Sequence, residues 1–200
     1  MHQNRKSAGK KFFSYVIISG VCLFFLGCSK SEIITPASTG GGNLLANPSF
    51  ENSEIPSLMG WYQSYTDTSI LHFSSDVPPG GGKYSVSITN GWGPLPPLMT
   101  TVIPPSGTHR YQLSVWSKIL PQDFPRFSTT GGMDIIHKTK DSLIYRKRDT
   151  FSDSVWAQHF LTDTITSAAG DTLFISLFAG QTQWSSGRTL FDLVAFKELN

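Results

Sequence analysis

Five tryptophans stand in this 200-residue chain, and an indole offers the flat apolar face on which the C–H side of a sugar ring can stack. Such stacking works only beside polar groups that pair with hydroxyls, so the neighbours of each ring matter as much as the ring. Trp92 lies between Gly91 and Gly93, and Trp184 lies in the stretch from Gln181 to Gly187. Loop tryptophans among small and polar residues either stand at a binding rim or fold back as lids. Trp116 falls on the opposite parity from Tyr111, Leu113 and Val115, so it points away from the core those residues share. It is a stacking platform if its face is an open concave sheet, and second-layer packing if a loop covers it. Trp61 and Trp156, the latter together with Phe160, read as packing. Arg110, Lys118, His137, Gln181 and Gln183 are the candidates for hydroxyl contacts.

Catalytic constellations are harder to find. His72, His109, His137 and His159 lack the helical spacing of a zinc pair, and no Gly-x-Ser-x-Gly elbow is present. Gly80-Gly81-Gly82-Lys83 is followed by Tyr84 where a phosphate loop requires Ser or Thr. Glu54, Asp123 and Asp134 could supply a carboxylate pair, but acids are too common for that to carry weight. A non-enzyme is the expectation.

Cys28 is the one thiol with a reactive context. Arg5, Lys6, Lys10 and Lys11 precede an apolar run from Phe12 to Leu26, the basic and apolar regions of a secretory signal. That run is shorter than the ~20 residues a spanning helix needs. Phe25-Leu26-Gly27-Cys28 resembles the lipobox of bacterial lipoproteins, with Phe25 where leucine is usual. The resemblance implies cleavage before Cys28 and lipid on its sulfur, and therefore a membrane anchor. Ser29, where an aspartate would retain the protein at the inner membrane, points to the outer membrane.

Removing residues 1–27 takes four of the 16 basic residues and none of the 14 acids. The remaining 173 residues carry 12 basic and 14 acidic side chains, a formal charge of −2. A general case for nucleic-acid binding from charge therefore fails. Cys22 leaves with the signal and Cys28 is the lipid acceptor, so no disulfide framework remains.

Three segments follow: residues 1–27 as signal, 28–42 as a lipidated tether ending Pro36-Ala37-Ser38-Thr39-Gly40-Gly41-Gly42, and 43–200 as one domain. The domain shows no long helical period. Tyr84, Val86 and Ile88 alternate with polar residues, as do Tyr111, Leu113 and Val115. Further strands are expected at 61–73, 98–103, 132–139, 143–150, 155–164, 172–179 and 189–199, separated by Gly/Pro turns. This is an all-β pattern, a two-sheet antiparallel sandwich or jelly roll. Lys138, Lys140, Arg146, Lys147 and Arg148 cluster around a hairpin turn at Asp141-Ser142. They either form a patch for an acidic glycan or lipid headgroup or, more commonly for such clusters, guard a sheet edge against pairing.

The opening Asn43-Leu44-Leu45-Ala46-Asn47-Pro48-Ser49-Phe50-Glu51 with Gly60-Trp61, then Gly82 to Val86, Tyr111 to Lys118 and Phe191 to Val194, resemble carbohydrate-binding modules of the galactose-binding-like jelly-roll type. Families four, nine and twenty-two are the ones the pattern is similar to. Ser49 stands for a usual glycine, and Leu193 for a second aspartate after Asp192. The resemblance implies a structural calcium between the first and last strands, with Glu51 and Asp192 as ligands and the backbone near Lys83 as a third contributor; the alternative is that these acids are solvated or pair with Lys83. Calcium accepts six to eight oxygens, backbone carbonyls among them.

The resulting expectation is a membrane-anchored, non-catalytic module that binds a polysaccharide or oligosaccharide through Trp116, Trp92 and Trp184, with Arg110, Lys118 and Gln181 beside them. The alternative is an envelope structural or protein-interaction lipoprotein whose sandwich presents a surface to other envelope proteins.

Overall fold

β-Branched and aromatic residues at alternate positions dominate the chain after Gly80, and each such run becomes a strand. The computed structural model describes residues 41–63, 70–90, 98–120, 130–139, 142–180 and 187–199. Twelve strands lie among them: β1 (Glu51–Asn52), β2 (Ile55–Pro56), β3 (Tyr62–Gln63), β4 (Leu71–Ser74), β5 (Ser85–Asn90), β6 (Leu98–Val102), β7 (Gly107–Leu120), β8 (Gly131–Lys138), β9 (Leu143–Phe151), β10 (Ala157–Ser167), β11 (Thr172–Ala179) and β12 (Gly187–Leu199).

Two five-stranded antiparallel sheets result, and β1 and β2 form a separate ribbon. Sheet I has the order β10-β7-β12-β5-β4 and sheet II the order β3-β6-β11-β8-β9. The all-β sandwich expected from the alternation is what the chain forms. The stretch 61–73 is not one strand, however: it yields β3 and β4, which belong to different sheets.

The core lies between the inward faces. Sheet I contributes Val86, Ile88, Tyr111, Leu113, Val115, Phe191 and Phe196, and sheet II contributes Leu98, Met133, Ile135, Leu173, Ile175 and Leu177. Trp61 joins this core as expected, its ring 5.2 Å from that of Phe50 and its Nε1–H bonded to Asn47 O. Phe160 does not: it is 53% exposed. Its register partner Ser114 lies on the parity opposite Leu113 and Val115, so the ring stands on the outer face of sheet I. Trp156 precedes β10 and donates its Nε1–H to Asp76 Oδ1.

The longest pairing joins β12 to β7 and is broken once, by a bulge between Asp192 and Ala195. Leu193 in that bulge has φ of 49°. Alternation after Phe191 puts Asp192 on the outer side, and the extra residue then shifts the parity so that Phe196 also lies inside.

Candidate functional site

Two faces of the sandwich point outward, and both carry residues that chemistry can use. On sheet I, antiparallel register places Trp116 opposite Gln158 on one side and Asp192 on the other. The indole is half-buried and points away from the core, as its parity requires. Lys118, on the same face, is held by Asp76: Nζ donates to Oδ2 at 2.6 Å. Trp156 and the Ser85 hydroxyl also bond to Asp76, the latter at its carbonyl. The Lys118 bond holds the Asp76 carboxyl below its ordinary range, with Trp156 reinforcing it against the opposing effect of burial. This part of the face is thus occupied by the chain's own residues. Arg110 is exposed on the same side of β7, but six residues along a strand separate it from Trp116 by roughly 20 Å. Trp92, Trp184, Gln181, Gln183 and Cys28 lie outside the described residues. His137 is turned inward at the end of β8, where its Nε2 bonds to Asp171 Oδ2 at 2.8 Å and both side chains are buried.

Glu51 and Asp192 lie near enough for the Glu51 charge to act on the Asp192 carboxyl. The Leu193 N–H donates to Asp192 Oδ1, while Asp192 Oδ2 is buried with no partner among the described residues. The Tyr84 N–H donates to Glu51 Oε1 at 2.5 Å. Gly81 and Gly82 run over both acids: a Cβ on Gly81 would sit 2.7 Å from Asp192 Oδ2, and one on Gly82 would collide with the Glu51 carboxylate. Burial pushes the Asp192 carboxyl up to about 7, the Leu193 N–H opposing and the Glu51 charge adding to the rise. Lys83 does not neutralise the pair, since its Nζ bonds to Glu54 Oε2 at 2.7 Å. Two carboxylates brought together from opposite ends of the domain, one with an unpartnered buried oxygen, under a backbone kept close by glycines, fit a hard cation with oxygen ligands. Among the described residues no cluster of three acidic, His or Cys side chains surrounds the spot, so backbone oxygens or water would complete the shell.

Sheet II carries an arrangement that no sequence motif announces. Its strand registers line up Tyr62, Met99, Ser176, Asp134 and Arg148, one residue from each of the five strands, in a single row across the outward face. Neighbouring strands are ~4.8 Å apart, so the row extends roughly 19 Å. The next row on the same face is Thr101, Phe174, Ile136 and Arg146. Phe178 lies on the other side, opposite Gly132.

Although this face points away from the core, its floor is withdrawn from solvent. Asp134 is 1% exposed and Ser176 fully buried. Asp134 is gripped by Arg148 through two parallel bonds, Nε to Oδ1 at 2.5 Å and Nη2 to Oδ2 at 2.7 Å. The same guanidinium lies 4.3 Å from the Phe178 ring centroid. Among the described residues Ser176 Oγ has no partner. At the far end of the row Tyr62 remains 39% exposed, with burial of its remainder pushing the phenol up to about 12. The row therefore runs from a partly exposed aromatic ring, over a buried hydroxyl, to a fixed ion pair.

No sequence-family model matches the chain, and no curated protein sequence does. Solved structures do match in fold. The CBM22-1 xylan-binding domain of Paenibacillus barcinonensis Xyn10C superposes with a TM-score of 0.55 at 14% identity, covering 82% of this chain and 99% of that one. A family 16 carbohydrate-binding module gives 0.53 at 14% identity, covering 77% and 99%. The TmCBM61 structure in complex with β-1,4-galactotriose gives 0.50 at 16%, covering 77% and 97%. The chain also matches part of a bacteriophage CBA120 tailspike enzymatically active domain, of which it spans only 21%. At these identities the likeness is one of fold: two five-stranded sheets arranged as in carbohydrate-binding modules.

Proposed function

We propose that this chain is a non-catalytic carbohydrate-binding module, held to a membrane through lipid on Cys28, whose ligand lies along the outward face of sheet II. The observation that carries the reading is the five-residue row from Tyr62 to Arg148, with a buried unpartnered hydroxyl at its centre and an exposed aromatic at its end. The module fold of the matched structures supports it. Tyr62 stacks on a sugar, and the Asp134–Arg148 pair keeps the floor rigid. Calcium belongs beside Glu51 and Asp192, where it ties the first and last strands together. The anchor sets the module at the envelope, and the outer membrane is the compartment proposed.

Affinity electrophoresis of the full chain in detergent against a broad panel of soluble polysaccharides tests the binding. Tyr62→Ala should weaken binding about tenfold, since stacking one ring contributes ~1.5 kcal/mol or more. Trp116→Ala should leave it within about twofold. Loss in Trp116→Ala alone would move the site to sheet I. The second reading, a protein-interaction surface, draws on Phe160 standing exposed beside half-buried Trp116; failure to retain any polysaccharide would leave that reading in place. Growth with radiolabelled fatty acid checks the anchor: label should enter the wild type and be absent from Cys28→Ala.

A further inference from the structure

The face of sheet II is strongly one-sided in charge, and its sign says what kind of sugar it accepts. Among its described side chains Lys138, Arg146 and Arg148 are basic, and Asp134 alone is acidic. Asp134 is already satisfied by the two-pronged grip of Arg148. Arg146 reaches the same carboxylate only with Nε at 3.7 Å, beyond hydrogen-bond range, and its side chain is 45% exposed. Lys138 is exposed further along, its Nζ 5.9 Å from the Phe174 ring centroid. Two positive charges thus remain over a floor lined with aromatic rings. They do so on a domain whose mature formal charge is −2, so the excess is local.

Guarding the exposed edge of β9 accounts for one of the cations of this hairpin and not for the others. Lys147 points to the opposite side of the strand, where its Nζ donates to Thr162 O at 2.7 Å and lies 3.5 Å from Asp163 Oδ1, joining the edges of the two sheets. Arg146 and Arg148 share the parity of Asp134 and turn over the outward face instead.

Resting on the carbohydrate-binding reading above, we infer that the ligand of this face is an acidic polysaccharide, whose uronate carboxylate is taken by Arg146 while its ring lies against the aromatic floor. The planar fork of a guanidinium matches a carboxylate in two-point geometry. The Asp134–Arg148 pair is that geometry realised one register position away. A neutral chain would leave Lys138 facing no carboxylate among the described residues, and Arg146 with only its 3.7 Å contact to a carboxylate that Arg148 already grips. An anion without a sugar ring would make no use of Tyr62 or Phe174.

The test compares uronate polymers, namely polygalacturonate, alginate and glucuronoxylan, with methyl-esterified polygalacturonate and unsubstituted xylan. The full chain in detergent is used at several salt concentrations. At least one uronate polymer should bind about tenfold more tightly than its neutral counterpart, with the difference shrinking as salt rises. Arg146→Gln should remove that preference with the melting temperature unchanged, because Arg146 is the exposed partner. Arg148→Gln would strand buried Asp134 and is not the informative variant. Equal or better binding to neutral polymers, unaffected by Arg146→Gln, overturns the acidic ligand and leaves the carbohydrate reading standing. Binding to none of the polymers overturns both. In a Cys28→Ala background, which lacks the anchor, Arg146→Gln losing partition to phosphatidylglycerol vesicles while retaining uronate binding would show that the cations read lipid headgroups, and also overturns the proposal.

Discussion

At Asp192 two costs coincide, a buried carboxyl oxygen without a partner and a second carboxylate close by. A cation relieves both, so its removal should be visible in stability. In the chelated protein Asp192 titrates near 7 when folded and about 3.9 when unfolded. A folded-state value raised in this way favours the folded chain fully below about pH 4 and loses that contribution as pH rises through 7. Melting in chelator should therefore fall between pH 4 and 8 by more in wild type than in Asp192→Asn. Millimolar calcium should raise the wild-type midpoint at pH 8 and leave the variant unmoved; identical wild-type midpoints with and without calcium would remove the ion from this site. Arg148 makes the opposite case, a charge already paired. Replacing it by Ala leaves buried Asp134 with only the long Arg146 contact, which costs about 3 kcal/mol and lowers the midpoint by roughly 6 to 12 °C. A drop under 2 °C in calorimetry would mean that water reaches Asp134 freely.

The elements depend on where small residues allow close approach. Phe178 crosses Gly132 so tightly that a Cβ there would collide with its ring, and Arg148 lies over that same ring. Gly132→Ala should displace Phe178, destabilise the fold by about 1 to 3 kcal/mol, and weaken glycan binding along with it. Binding unchanged in a variant that melts lower would separate Phe178 from the ligand surface. The strands themselves were largely legible in the sequence. Residues 172–179 form β11 as expected, and Tyr111, Leu113 and Val115 all point into the core. The strand expected at 132–139 is β8, although Gly-Gly-Met-Asp-Ile-Ile-His is buried on both faces and shows no alternation. Periodicity could not find the row on sheet II. Tyr62, Met99, Ser176, Asp134 and Arg148 are ordinary residues in separate segments, joined only by register across five strands. Tryptophan drew attention to sheet I because its chemistry is visible in one letter, whereas a row assembled by register is visible only once the sheets pair. The nearness of Glu51 and Asp192 was legible, since the resemblance carried both residues to one place.

Across the whole molecule, the first described segment is held by the last strand. Asn43 donates its Nδ2–H to Val194 O, and its Oδ1 accepts from Phe196 N and Leu45 N. Leu44 N bonds to Phe196 O, and Val194 N to Pro48 O. These bonds flank the bulge that presents Asp192, so one side chain helps fix both the entry of the chain into the domain and the carboxylate pair. Asn43→Ala removes three hydrogen bonds, each contributing about 0.5 to 1.5 kcal/mol net. Solvent reaches part of this position and restores some of the loss, so the expected cost is about 2 kcal/mol, with a midpoint lower by roughly 4 to 8 °C. The same change should weaken calcium binding, because β12 beyond the bulge loses the anchor that holds Leu193 at positive φ and Asp192 beside Glu51. Titrating calcium into Asn43→Ala while following the melting midpoint reads both effects at once. A lower midpoint with an unchanged calcium response would mean that the β7 and β5 pairings alone position Asp192. An unchanged midpoint would mean that the two ends of the domain are joined by the backbone bonds of Leu44 and Val194, without help from Asn43.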